Sequence, residues 1–468
     1  MKKTLFTAGV CFCALAFLVG VMSCSSDSSS SEGEAEDSEE AGEGDTTTGT
    51  GSTSDGSSSD ESTQTTQGSI TDTPEGYAGA TWELDAEELT AVTVSTKSDL
   101  VSYAKKGGYL IWVDGMIDMS EGYLPEDNSD EAGNLSSFIK TYTDGSYTTW
   151  TDWRTAYAAA CTTSSDDETG DDTLDGYQDD MVAAWKALIK LTVKSNTMII
   201  GKDTDSCIKG GMISISGESD IAIRNLVIED AFDPFPHHEK NDGYNAEYDG
   251  ICIQGDSSNI WVDHCTLKDT MSLAYVMTGG DDGTSEKWQT YDGLLDIKGT
   301  GANISVSYCK FQDHDKTSLI GSSDSEGDAS TRLITYHHNY FYNCGQRLPM
   351  VRNTTFHLYN NYFDASDPTY TQQYAVGVRA GSTVYSENNY FGSGIKYSFN
   401  AQSSSAGTLY SSGDSDNSSK GVNTKYVESS GESLFSSSVG TYSYTAESAS
   451  DAKTTVTTYA GATLVFSE

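Results

Sequence analysis

The chain has 468 residues, of which 36% are apolar, and carries 70 acidic side chains against 27 basic ones for a net charge of −43. A surface this negative excludes attraction to nucleic acid or to an anionic membrane. Six prolines, 45 glycines and 28 tyrosines argue against a helix bundle and for a turn-rich β architecture.

Lys2 and Lys3 precede an apolar run from Leu5 to Val21, the pattern of an export signal. The run ends in Val21-Met22-Ser23-Cys24, which resembles a bacterial lipoprotein box and makes Cys24 the candidate lipidated residue behind a signal at 1–23. No other stretch approaches the ~20 apolar residues that a membrane span needs. Residues 25–75 contain no Lys, Arg or His and are dominated by Ser, Thr, Gly, Asp and Glu. Such a segment cannot bury a core, so 24–75 is expected to be a disordered tether leading to a folded domain from about 76. The expected product is a monomeric extracellular or cell-surface lipoprotein of a bacterium that meets the membrane only through its lipid.

Between Val92 and Ile117 the pattern predicts a helix over Lys97–Lys106 and a strand at Leu110–Val113. Residues 119–190 read as an insertion with helices at Trp153–Ala160 and Met181–Val193. The acidic patch between them, Asp166 to Asp180, reads as a solvated loop.

From about 195 to 392 the chain repeats itself. One column of strands starts at Ile223, Val262, Val306, Tyr336, Leu358 and Ser386, each followed by a polar turn. A second column lies about ten residues earlier, at Gly211, Gly250, Gly293, Thr317, Leu348 and Ala375. Short strands repeating at this interval predict a solenoid. No amphipathic helix recurs between them, which leaves a parallel β-helix whose coils stack at about 4.8 Å. The fold class is therefore all-β, a single-stranded parallel β-helix with short flanking helices. Asn339, Asn361 and Asn389 should form one ladder, and Phe311, Phe341, Phe363 and Phe391 another. Cys265 and Cys309 fall at equivalent places and read as buried thiols rather than a disulfide; with Cys161, Cys207, Cys252 and Cys344 they match no zinc spacing. Past 392 the chain is Ser/Gly/Tyr-rich, and its last piece, from Tyr442 to Ala462, is expected to cover the end of the solenoid.

A solenoid gathers distant residues on one face. Asp263 lies on a Trp261-Val262-Asp263-His264 strand, and Asp292 and Asp296 lie one coil later. An Asp within an apolar strand is costly unless it meets a partner or a metal. Lys316, Arg347 and Arg352 follow on the next coils, with Lys316 and Arg347 within about one residue of the same coil position. Oxygen-only ligands favour Ca²⁺. Asp249 reads equally well as structural, and His264, His337 and His338 read as stacking residues. The loops 231–248 and 269–291, with Phe235, Tyr244 and Trp288, are expected to wall the groove.

Trp261-Val262-Asp263-His264, the segment from Asp292 to Lys298, the segment from His314 to Gly321 and the segment from Gln346 to Arg352 together resemble the pectate lyases of polysaccharide lyase family one. Lys194 to Gly201 and Ile223 to Leu226 resemble that family's early coils. The resemblance implies a right-handed β-helix that cleaves polygalacturonate in pectin by β-elimination. It implies Ca²⁺ held by Asp263, Asp292 and Asp296, Arg347 as the base, and Lys316 and Arg352 on substrate carboxylates. Neighbouring cations and exclusion of water are expected to lower the pKa of Arg347. The alternatives are a pectin lyase on methyl-esterified polymer and a non-catalytic polysaccharide-binding module. A glycoside hydrolase would leave the Lys and Arg residues unexplained.

Overall fold

The computed structural model describes residues 64–467 apart from 126–132, 162–168, 240–242, 272–287, 368–369, 402–404, 424–427, 430–434 and 436–441. Cys24, the signal segment and most of the tether lie outside the described residues. Three long parallel sheets, of eleven, nine and eight strands, run side by side along the chain. Between Tyr109 and Asn400 each coil gives one short strand to each sheet, and each strand pairs with its counterpart in the neighbouring coils. The result is a parallel β-helix.

The turn from the eleven-stranded to the nine-stranded sheet explains the repeat. Asn225, His264, Tyr308, His338, Asn360 and Asn388 hold it in the left-handed region, with φ between 48° and 54°. Asn tolerates that conformation best among residues with a side chain. The following residue turns inward, so Cys265, Cys309, Asn339, Asn361 and Asn389 form one column. The backbone N–H and Nδ2 of Asn339 donate to Oδ1 of Asn361 at 2.9 and 3.0 Å. Asn361 repeats both bonds to Asn389 at 2.8 and 2.9 Å. Phe311, Phe341, Phe363 and Phe391 stack with centroids 4.8, 4.9 and 4.6 Å apart. Each such ring pair contributes about 0.5–1.5 kcal/mol beyond its buried area. Both expected ladders are present, and all six cysteines from Cys161 to Cys344 are free thiols.

The flanks depart from expectation. The helix Lys97–Ala104 lies as predicted, started by the Thr96 side chain, which accepts from the Asp99 N–H. The insertion carries three described helices, Gly133–Tyr142, Trp150–Ala160 and Asp172–Ile189. Much of the acidic patch read as a loop is thus helix. Asp171 caps it, and Asp172 and Asp175 sit in the first turn, where the helix dipole favours negative charge. Trp150, Trp153 and Trp185 are buried in one cluster with Phe232, Phe235, Tyr244 and Trp288. The aromatics expected to wall a groove therefore form part of the core of this helical annex.

The described fold also begins earlier than 76. Thr66–Gly68 pairs in parallel with Leu464–Phe466, and Arg224 donates to the Ser69 carbonyl at 2.7 Å. At the other end the coils continue through Phe399–Asn400, Thr408–Ser412 and Ser415–Asp416. The helix Ala449–Tyr459 lies along the side of the solenoid, with Val456 and Ala460 against Tyr340 and Tyr362. It covers an outward-facing tyrosine ladder, not the solenoid end. No described helix is long and apolar enough to cross a membrane.

Candidate active site

The eight-stranded sheet positions the charged residues. Its strands Ile251–Gln254, Leu295–Ile297, Leu319–Ile320, Met350–Val351 and Val376–Val378 stack in parallel, pairing Ile251 with Leu295, Ile297 with Ile320, Ile320 with Val351 and Val351 with Val378. Carried outward along these registers, Asp249, Gly293 and Lys316 form one row where the strands begin, and there Lys316 pairs with Gln346, the neighbour of Arg347. Lys298, Gly321, Arg352 and Arg379 form a second row where they end. Asp296 stands between the rows on a strand centre.

Three carboxylates converge here: one oxygen each of Asp249, Asp292 and Asp296 lies within 4.8 Å of the others, and all three residues are buried. Gly293 makes this possible. A Cβ at that position would sit 2.2 Å from Oδ1 of Asp296 and 2.9 Å from Oδ1 of Asp249. The Gly293 N–H donates to Asp249 at 3.0 Å, and the Leu319 N–H to Asp296 at 2.9 Å. Both carboxylate oxygens of Asp292 and Oδ2 of Asp296 are buried and accept no hydrogen bond from a backbone N–H or a neutral side chain. Burying such oxygens is expensive in a folded protein. Lys316 Nζ lies 3.0 Å from Asp292, and Lys298 Nζ lies 3.2 Å from Asp296. These ammonium groups are the partners those oxygens have. Lys316 also donates to Oδ1 of Asn245 at 2.7 Å. Burial works to raise the pKa of Asp292, but Lys316, Lys298 and Arg347 outweigh it and hold the carboxyl below its usual range. For Asp296 burial and the neighbouring Asp292 outweigh Lys298, so its pKa is raised. Hard oxygen donors with uncommitted lone pairs fit a divalent cation such as Ca²⁺.

Asp263 is elsewhere, which corrects the predicted ligand set. It ends the strand Ser258–Asp263 of the eleven-stranded sheet, in register with Arg224 and Ser307. Arg224 Nε donates to its Oδ2 at 3.0 Å, Ser307 Oγ to its Oδ1 at 2.7 Å, and His264 Nδ1 lies 2.9 Å away. Burial alone would raise its pKa, yet His264 and Arg224 hold it well below the carboxylate range. Asp263 is a satisfied structural anion, and Asp249 stands in the cluster in its place. His264, His337 and His338 stack on Tyr308 and Tyr359, as expected of ladder residues.

Arg347 has φ 56°, an uncommon conformation for a residue with a long side chain. Among the described residues its guanidinium has no hydrogen-bond or ion-pair partner. Burial acts to lower its pKa, but Tyr374, Asp292, Asp296 and Asp315 outweigh burial and leave it raised. Tyr374 and then these carboxylates therefore oppose the downward push expected on Arg347. Arg352, by contrast, is brought down to about 10 by burial and Arg379, with Asp324 opposing. Its Nε donates to Asp324 at 2.9 Å and one terminal nitrogen to the Gly321 carbonyl at 2.9 Å. Arg379 lies 3.6 Å from the same Asp324 carboxylate.

Sequence reasoning left Asp249 open and missed Lys298, Asn245, Asp324 and Arg379. For Asp249 a signal existed: an Asp249-Gly250 pair precedes its strand as Asp292-Gly293 precedes the next, one residue out of register.

Residues 163–464 match the family model described as pectate lyase. The chain belongs to the pectate lyase family. The pectate lyase of Bacillus subtilis is 32% identical over 336 residues, which cover 66% of this chain and 72% of that protein. Pectate lyase E of Dickeya chrysanthemi is 38% identical over 210 residues, 44% of this chain and 54% of that protein. The chain thus spans about half the length of several curated pectate lyases it matches. Among solved structures, a mutant of the Bacillus subtilis pectate lyase aligns with a TM-score of 0.68 at 26% identity, over 83% of this chain and 97% of that one. A pectate lyase bound to a hexasaccharide aligns with a TM-score of 0.65 at 27% identity, over 86% and 99%.

Proposed function

We propose that this protein is a calcium-dependent pectate lyase that cleaves polygalacturonate by β-elimination. The observation that carries the reading is the buried trio Asp249, Asp292 and Asp296, three of whose oxygens face only cations, beside Lys316 and Arg347 at one sheet edge. Calcium held by the three carboxylates would supply Lewis acidity toward a uronate carboxylate. Lys316 and Arg352 grip uronate carboxylates as well. The hydrogen on C5 lies beside such a carboxylate, and its removal builds negative charge that fixed cations stabilise. Arg347 takes this proton, the electrons of the C5–H bond form the C4–C5 double bond, and the glycosidic oxygen leaves with its bonding pair. No activated water is needed, so no acid–base pair of carboxylates is required.

A guanidinium must lose its own proton before acting as a base. The upward push on Arg347 comes in part from Asp292 and Asp296. Cancelling their charge removes that part, and burial and Arg352 then act downward. The rate should rise with pH as the neutral form of Arg347 grows.

The test is incubation with polygalacturonate in excess chelator and then in excess calcium, following the ultraviolet absorbance of the unsaturated product. No product in chelator and recovery with calcium is the expected result. Turnover of methyl-esterified pectin in chelator would make this a pectin lyase, and binding without turnover a polysaccharide-binding module. Export and anchoring through Cys24 belong to the same proposal, supported by the run Leu5–Val21 ahead of it. Cys24→Ala should move the protein from the membrane to the soluble fraction, and a wild-type protein already soluble would exclude the anchor.

A further inference from the structure

We propose that Lys298 is a built-in competitor for the calcium site, occupying carboxylate oxygens that a divalent cation needs and so weakening calcium binding by the free protein. The inference rests on the calcium reading above and goes beyond it, because it concerns what opposes the metal.

Lys298 follows Asp296 by two residues along an extended segment, so both side chains leave the sheet on the same face. Its Nζ donates to Oδ2 of Asp249 at 3.0 Å. The same nitrogen lies 3.2 Å from Oδ2 of Asp296 and 4.0 Å from Oδ2 of Asp292. One ammonium thus faces an oxygen of every member of the cluster. Lys316 touches only Asp292, through the other oxygen, and is held back by Asn245. The Lys298 side chain is 6% exposed, so water screens its charge little.

Calcium binds carboxylate oxygens at about 2.3–2.6 Å. An ion that took these three oxygens would come within a few ångströms of Nζ, and the two cations would repel strongly in a buried site. Calcium entry therefore requires the ammonium to swing away on its four-carbon stem, which is flexible enough to do so. Ordinary ion pairing would give Lys298 one carboxylate partner. Sharing three, at the one place where carboxylates crowd around a glycine, makes it a stand-in cation.

The decisive experiment is calorimetric titration of calcium into the chelator-stripped protein at pH 8 and fixed ionic strength. Wild type is compared with Lys298→Met, which keeps the stem and removes the charge, and with Lys298→Arg, which keeps the charge. The methionine variant should bind calcium at least tenfold more tightly than wild type, about 1.4 kcal/mol. The arginine variant should bind within about threefold of wild type. The melting temperature of the methionine variant should fall in chelator and rise with calcium by more than that of wild type, since the metal then replaces the missing charge. If circular dichroism shows the methionine variant unfolded in chelator, Lys298→Gln, which retains a donor for Asp249, carries the same expectation. Wild-type binding that neither neutral variant tightens overturns the competitor role alone. Absence of calcium binding in wild type and variants alike overturns the calcium site and this inference together. Binding by a neutral variant only is the extreme form of the expected result.

Discussion

Two groups of buried aspartates stand on neighbouring sheets of this molecule, and they are built in opposite ways. Asp263 receives hydrogen bonds from Arg224 and Ser307 and has a third partner in His264. Asp249, Asp292 and Asp296 are pressed together around a glycine, and three of their oxygens meet only lysine ammonium groups. The first arrangement lowers the energy of a fixed anion and asks for no further ligand. The second raises the energy of three anions together and is relieved only by a cation. Burial alone therefore does not distinguish a structural acid from a functional one; the count of satisfied oxygens does.

The largest effect expected from this contrast falls on stability. Asp263→Ala leaves Arg224 buried without its main partner and should cost about 3–5 kcal/mol of unfolding free energy. Calcium affinity and activity per folded molecule should stay at wild-type values. Because the pKa of Asp263 is depressed in the fold, its contribution is complete above the unfolded carboxyl value of about 3.9 and is lost as pH falls below it. The gap in denaturation midpoint between wild type and variant should be flat above about pH 5 and shrink under acid. A shift in calcium affinity would erase the distinction between the two groups.

Arg347→Lys should cut kcat about 10²-fold or more, the usual contribution of a general base, with little change in calcium affinity or in the melting curve. Near wild-type turnover by a folded variant would move the base to another residue. Asp249→Asn should raise the calcium concentration needed for half-maximal activity about tenfold. Asp263→Asn should leave that concentration unchanged, and the reverse pattern would restore the sequence-based ligand set. Gly293→Ala is the mildest of the series. It pushes Asp296 and Asp249 apart and should weaken calcium binding several-fold, read by the same titration.

The solenoid was readable in the sequence because its repeats carry their own register. Asn339, Asn361 and Asn389, and the phenylalanine column, announce which residues stack. The placing of Arg347 within one residue of the position opposite Lys316 follows from the same alignment. The ligand set failed at one step. Asp263 belongs to the first strand column and Asp292 to the second, and joining them mixed two sheets. Lys298 and Asp324 were invisible for another reason: their importance lies in which opposite charge they meet, and no periodicity encodes that. The helical annex was half-seen, because its aromatic residues are spread over loops that only the fold brings together.

The two rows flanking the eight-stranded sheet have a consequence for inheritance. Each functional group arrives on its own coil, and unequal lengths of chain separate one from the next. Insertions such as the 119–190 annex can lengthen a connection without disturbing a row, provided the strands keep their pairing. A single-residue deletion inside Leu295–Ile297 would do the reverse, turning Asp296 into the apolar interior. Such a scaffold is forgiving of large changes between coils and intolerant of small ones within them, so related chains can diverge widely in length while their charged rows stay aligned.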